Sequence, residues 1–191
     1  MNAPLLLAQA LYLLSPLLAA AALSAAVLRF DLAPWARRPI DLGLAIGGVR
    51  LFGDGKTWRG LAVAVLGCIA AASVQRAIGD RAGRLAVVDY AAIDPILFGA
   101  AMGAGAILGE LPNSFVKRRL GIAQGKTTTG PLAAVFYVWD QVDLLTGAWP
   151  LLLPWLRPDG ALVAASFALV LILHPALSLA GWLLGARKTA R

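Results

Sequence analysis

Five long apolar stretches separated by charged connections set the pattern of this chain: Pro4 to Leu28, Leu61 to Ile78, Ala91 to Leu108, Pro131 to Trp155 and Ala161 to Leu184. A helix needs roughly 17–25 apolar residues to cross the hydrocarbon of a bilayer, and each stretch reaches that length. Backbone groups in lipid must satisfy one another, and no alternating pattern of the kind a barrel strand shows is present, so the stretches are predicted to be helices. The expected fold is an all-α integral membrane protein with five transmembrane helices, taken as one membrane-embedded domain over residues 1–191. The first run is read as a span rather than a cleaved signal, because no basic residue precedes it and it is longer than a signal peptide's apolar core.

Composition supports lipid as the solvent for much of this surface. Of 191 residues, 60% are hydrophobic and 14% charged, and the mean hydropathy is +0.77. A water-soluble globule of this size cannot hide so large an apolar excess. The net charge of +7 does not point to nucleic acid, because the basic residues sit in short connections and form no soluble basic module. Anionic lipid and phosphate-bearing ligands are the expected partners, with association between copies left open. Cys68 is the single cysteine, so no intrachain disulfide can form, and it is read as packing.

The basic residues also predict an orientation. Arg29, Arg37, Arg38, Arg50, Lys56 and Arg59 flank the first connection, Lys117, Arg118, Arg119 and Lys126 occupy the third, and Arg187, Lys188 and Arg191 follow the last span. Only Arg76, Arg81, Arg84 and Arg157 fall on the other side. The positive-inside rule then puts the N-terminus outside and the C-terminus in the cytoplasm, in a multi-pass protein of the inner (cytoplasmic) membrane. Trp58, Trp149, Trp155 and Trp182 lie near expected span ends and are read as interfacial anchors.

Three polar blocks interrupt this apolar background. Asp140 and Asp143 stand three residues apart in an otherwise apolar segment and share a helical face. An acid inside a membrane costs about 2.5–3.5 kcal/mol on insertion scales, so it faces a partner, a cavity or a metal. Paired oxygen ligands suit Mg²⁺, which takes one or two carboxylates plus substrate phosphates; structural ion pairs with nearby arginines are the alternative. In the third connection, Ser114, Lys117 and Arg118 share a face if the segment beyond Pro112 is helical, placing a hydroxyl and two cations together as a phosphate site would. A juxtamembrane cluster that only fixes topology would look similar. The first connection ends in Gly53-Asp54-Gly55-Lys56-Thr57-Trp58-Arg59-Gly60, glycine-rich and bearing phosphate donors, but without the spacing of a P-loop NTPase. His174 precedes Pro175 in the last run; a hydrogen bond beside the kink is expected of it, and no place in the site.

Taken in order, Gly53 to Gly60, Ser114 to Gly121 and Asp140-Gln141-Val142-Asp143 resemble the blocks of the CDP-archaeol synthase family of membrane cytidylyltransferases, and the last two are similar to parts of the CDP-diacylglycerol synthase signature. Where archaeal members commonly carry Gly-Asp, this chain has Gly109-Glu110, and residues 125–130 lack the Pro-Gly-His-Gly-Gly segment of the diacylglycerol enzymes. The resemblance implies Mg²⁺-dependent transfer of a cytidylyl group from CTP to a membrane lipid phosphate, giving a CDP-lipid and pyrophosphate. It implies that Lys117, Arg118, Asp140 and Asp143 carry the catalysis, with Glu110, Asp140 and Asp143 as metal ligands. Asp54, Lys56, Thr57, Arg59, Ser114 and Arg119 join Lys117 and Arg118 around the CTP phosphates. A small transporter or channel that uses the same intramembrane carboxylates is the alternative, and a silent membrane scaffold is a third reading.

Overall fold

The computed structural model describes residues 2–126, 128 and 130–183. Leu184, Arg187, Lys188 and Arg191, and with them the expected end of the last span, lie outside the described residues, as do Thr127 and Thr129. Five long helices dominate: α1 (Ala3–Arg29), α2 (Trp58–Ala77), α4 (Pro95–Arg119), α5 (Ala133–Leu152) and α6 (Gly160–Leu183), with the single turn α3 (Gly79–Ala82) between α2 and α4. Among the described residues, four are long and apolar enough to cross a membrane: α1, α2, α4 and α6. The expected fifth, α5, matches α2 in length at 20 residues but carries Asp140, Gln141, Asp143 and Thr146 along its middle.

The helices start and stop where local chemistry directs. Thr57 caps α2 by accepting the Gly60 amide at 3.1 Å. Asp94 caps α4, accepting from Ile96 and Leu97, and Pro95 occupies the first helical position. The expected third span, Ala91 to Leu108, is therefore corrected: the helix begins later, at the capped proline, and continues through Pro112 to Arg119. Pro112 and the half-exposed Leu108 both face outward, so the missing backbone bond falls on the outer side of the helix and does not break it. Lys117, Arg118 and Arg119 thus form the last turn of α4.

Close helix contacts depend on small residues. A Cβ on Gly99 or Gly103 of α4 would meet the α2 backbone at Cys68–Ile69 or Ala64–Val65, and one on Gly67 of α2 would meet Ala20 of α1. Without water to drive association, such backbone approach is how membrane helices gain packing contacts. Leu13, Leu14, Cys68, Phe98, Met102 and Leu145 fill the centre of the bundle, fully or almost fully buried. Trp149 is buried with them and donates its indole N–H to Ser166 Oγ at 3.1 Å. That corrects its reading as an anchor: its register on α5 turns it inward, whereas Trp58, Trp155 and Trp182 are exposed.

The connection between α1 and α2 is an ordered loop. A two-residue turn, Gly47-Gly48, with positive φ at both positions joins strands β1 (Ala45–Ile46) and β2 (Val49–Arg50). Buried Asp41 ties this hairpin to the following segment. Its carboxylate accepts the amides of Gly43, Phe52 and Gly53 and the Arg50 guanidinium at 2.5 Å. Burial alone would raise its pKa, but these donors win and hold it down at about 2. Backbone bonds from Ile40 to Lys56 and from Trp58 to Arg38 close the loop just before α2.

Candidate active site

The contact between α4 and α5 fixes the centre of the site. A Cβ on Gly109 would collide with the backbone of Asp143 and Gly147, and one on Gly147 with Gly105 and Gly109. The two helix backbones therefore touch, and the side chains one turn away face each other at short range. Asn113, four residues beyond Gly109, donates its amide N–H groups to Asp140 Oδ1 and Asp143 Oδ2, both at 2.7 Å. Lys117, one further turn along α4, pairs with Asp140 Oδ1 and lies 5.5 Å above the Phe136 ring. Glu110, one turn the other way, pairs with Lys56 from the glycine-rich loop.

This cluster of three carboxylates, two ammonium groups and an amide assembles from the loop before α2, from α4 and from α5. Asp143 is buried, while Lys56, Glu110 and Lys117 are partly accessible. Burial alone would lower the pKa of Lys56, but the attraction of Glu110, with Asp143 and Asp140 beyond it, prevails and raises it, so the loop presents a charged ammonium. A cavity of about 810 Å³ opens beside these groups, walled by Lys56, Glu110, Tyr137, Asp140, Asp143 and His174 among others.

The donor set fits a hard divalent cation. Asn113 Oδ1 is buried and accepts no hydrogen bond, an orphaned oxygen on the amide whose N–H groups bind Asp140 and Asp143. Carboxylate and amide oxygens with room for substrate phosphates suit Mg²⁺. As the side chains stand, lysines and Asn113 hold the carboxylates, and no group of three acidic, histidine or cysteine residues among the described residues is arranged to hold a metal.

The remaining expected site residues divide. Ser114 is buried on α4 beside Asn113. Arg118 bonds the carbonyl of Ile122, with its Nε 3.4 Å from the carbonyl of Phe52, so it braces the glycine-rich loop while remaining next to Lys117. Arg119 grips the hairpin, donating to the carbonyls of Ile46, Val49 and Arg50 at 2.8, 2.6 and 2.8 Å. Buried Arg59 reaches Asp31 Oδ1 at 3.0 Å and the Leu32 carbonyl at 2.9 Å, fastening the end of α1 to the start of α2. Asp54 is exposed and pairs with Arg50, and Thr57 is spent on the helix cap. Arg59, Arg119, Asp54 and Thr57 are thus placed outside the Asn113-centred cluster.

Two residues that the sequence reading left out are in the site. The face read from Ser114 does not include Asn113; read from Glu110, positions 110, 113 and 117 share one face, and the signal is there. His174, left as a kink residue, lines the large cavity with its Nδ1 3.3 Å from the Gln141 carbonyl; nothing in sequence spacing brings α6 to α5 at that point.

Comparisons with known proteins place the chain in a family. A family model described as CarS-like CDP-archaeol synthase matches residues 4–189. The CDP-archaeol synthase of Aeropyrum pernix is 36% identical over 157 residues, covering 80% of this chain and 78% of that protein. The one from Methanosphaerula palustris is 33% identical over 159 residues, covering 78% and 87%. The Halobacterium salinarum protein of that name is 40% identical over 111 residues, 58% of this chain and 56% of its own length, so the match spans little more than half of that relative. A solved structure described as an intramembrane enzyme for archaeal membrane lipids biosynthesis superposes with a TM-score of 0.62 at 29% identity, covering 87% of this chain and 90% of its own. These descriptions lend the transporter alternative no support.

Proposed function

The chain belongs to the CDP-archaeol synthase family, and from that premise we propose that it transfers a cytidylyl group from CTP to a membrane lipid phosphate. A non-bridging oxygen of the lipid phosphate attacks the α-phosphorus of CTP, the new P–O–P bond forms, and the α–β bridge breaks with its electron pair leaving on pyrophosphate. The products are a CDP-lipid and pyrophosphate. One observation carries the reading: Asn113 draws Asp140 and Asp143 together between Lys117 and the Lys56–Glu110 pair, on a cavity large enough for a nucleotide.

The lipid phosphate is already anionic near neutral pH, so the reaction needs no serine nucleophile; its obstacle is repulsion between the two substrates. Lys117 and Arg118 neutralise the triphosphate and the departing pyrophosphate, and Lys56 meets the phosphates from the opposite wall. Asp140 and Asp143, with Glu110 and the Asn113 oxygen nearby, would hold Mg²⁺, which when bound neutralises phosphate charge. Arg119 and Arg59 act at one remove, by fixing the loop that carries Lys56.

We assign α5 as a fifth span despite its polarity, because its acids face α4 rather than lipid. With five spans, the excess of arginine and lysine around the α1–α2 connection and the end of α4 supports an N-terminus outside and a site on the cytoplasmic side of the inner membrane, where CTP is supplied. Purified protein incubated with radiolabelled CTP, Mg²⁺ and a panel of lipid phosphates is expected to yield a labelled CDP-lipid and pyrophosphate. No labelled lipid with any acceptor would overturn the assignment.

A further inference from the structure

The Lys56–Glu110 pair is a partition as well as an ion pair. On one side lies the large cavity already described; on the other lies a second cavity of about 240 Å³ between the ends of α1, α2 and α4, lined by Ser24, Leu28, Thr57, Arg59, Val63 and Ile107, with Lys56 and Glu110 again in its wall. We propose that this smaller cavity seats the phosphate head of the lipid acceptor, and that Lys56 exchanges Glu110 for that phosphate when the lipid arrives. The inference rests on the proposed cytidylyl transfer and adds the place of its second substrate.

Size separates the two cavities. The second cavity, about 240 Å³ against about 810 Å³, is the smaller of the two and suits a phosphate monoester on a glycerol-sized stem better than a nucleoside triphosphate. The wall chemistry suits an amphiphile. Ser24 and Lys56 supply a hydroxyl and an ammonium group, while Val27, Leu28, Val63 and Ile107 are apolar, and Leu28, half exposed at the end of α1, continues that surface outward. A head group can reach the ammonium while its chains stay among apolar side chains.

Reaction geometry points the same way. Displacement at phosphorus needs the attacking and leaving oxygens roughly in line, so acceptor and pyrophosphate must occupy opposite sides of the transferred group. A nucleotide held at Asp140, Asp143 and Lys117 would sit in the large cavity, and the small cavity shares the Lys56–Glu110 wall with it. Lys56, common to both walls, would then lie between the two anions at their closest approach.

The test reads binding without turnover. A dialkylglycerol phosphate and, separately, CTP are titrated into detergent-solubilised wild-type protein, Ser24→Phe, which fills the small cavity, and Ala134→Trp, which fills the large one from an exposed wall position. Ser24→Phe is expected to weaken the lipid phosphate at least tenfold and leave CTP within twofold, with Ala134→Trp showing the reverse; Ser24→Leu serves if the Phe variant does not fold. Unchanged lipid-phosphate binding in the filled Ser24 variant, or its loss in Ala134→Trp instead, would overturn the placement. Absence of labelled CDP-lipid from the wild-type protein would sink the proposed reaction while leaving this binding result to stand by itself.

Discussion

Gly109 of α4 and Gly147 of α5 meet backbone against backbone, and each is one helical turn from a residue of the polar cluster, Asn113 in the one case and Asp143 in the other. The hydrogen bonds among Asn113, Asp140 and Asp143 exist because nothing larger than hydrogen lies between the helices there. Gly109→Ala or Gly147→Ala forces the backbones apart. Overpacking of this kind costs about 1–3 kcal/mol, so each variant is expected to unfold at lower temperature and to lose most of its cytidylyl transfer, measured by labelled product. Wild-type activity with an inserted methyl would mean that the helices have slack.

Asp140→Asn and Asp143→Asn keep shape and remove charge. Both proteins are expected to insert and fold, and to lose at least about a hundredfold in transfer rate, the scale of removing one electrostatic contact to a reacting group. Full turnover in either purified variant would remove that acid from the catalytic set.

Lys117 and Arg119 are two residues apart in one basic run yet have different jobs. Lys117→Ala is expected to raise the CTP requirement about tenfold or more, equivalent to roughly 1.4 kcal/mol, with little change in melting temperature. Arg119→Ala should do the opposite, loosening the hairpin whose three carbonyls it holds, with hydrogen bonds from a charged donor contributing about 1.5–3 kcal/mol each at most. Steady-state kinetics set beside thermal unfolding separates the two; a CTP effect from Arg119→Ala equal to that of Lys117→Ala would return Arg119 to the phosphate site.

Asp41 predicts an acid limb. Its folded pKa, about 2, lies below the ordinary 3.8, so its stabilisation is complete above the ordinary value and is lost as pH falls through the folded one. The contribution at neutral pH is roughly 2 kcal/mol. Between about pH 4 and pH 2 the wild-type protein is expected to lose stability more steeply than Asp41→Asn, as read by thermal unfolding in detergent. Parallel curves would show that the carboxylate is not bound so tightly.

Much of this was legible in the sequence. Apolar length locates α1 and α2 and the start of α6 to within a few residues, because lipid imposes one simple requirement on any segment that crosses it. The pairing of Lys117 with Asp140 and the partnership of Lys56 with Glu110 were not legible, since they depend on which faces glycine contacts turn toward each other. Arg59 and Arg119 look like phosphate ligands in a linear motif; in space the α1–α2 connection supplies oxygens to both, a carboxylate and a carbonyl for the one, three carbonyls for the other. Trp149 sits near a helix end in sequence and in the core in space, a distinction set by helical register rather than by position along the chain.

The polarity of α5 bears on how the protein is made. A segment with two acids in its middle partitions poorly into lipid by itself, but Asn113 and Lys117 belong to α4, which is synthesised first. On the proposed five-span reading, the groups that donate to Asp140 and Asp143 are already at the bilayer when α5 emerges from the ribosome, and the order of the helices along the chain lets each acid meet its partner on entry instead of waiting for one.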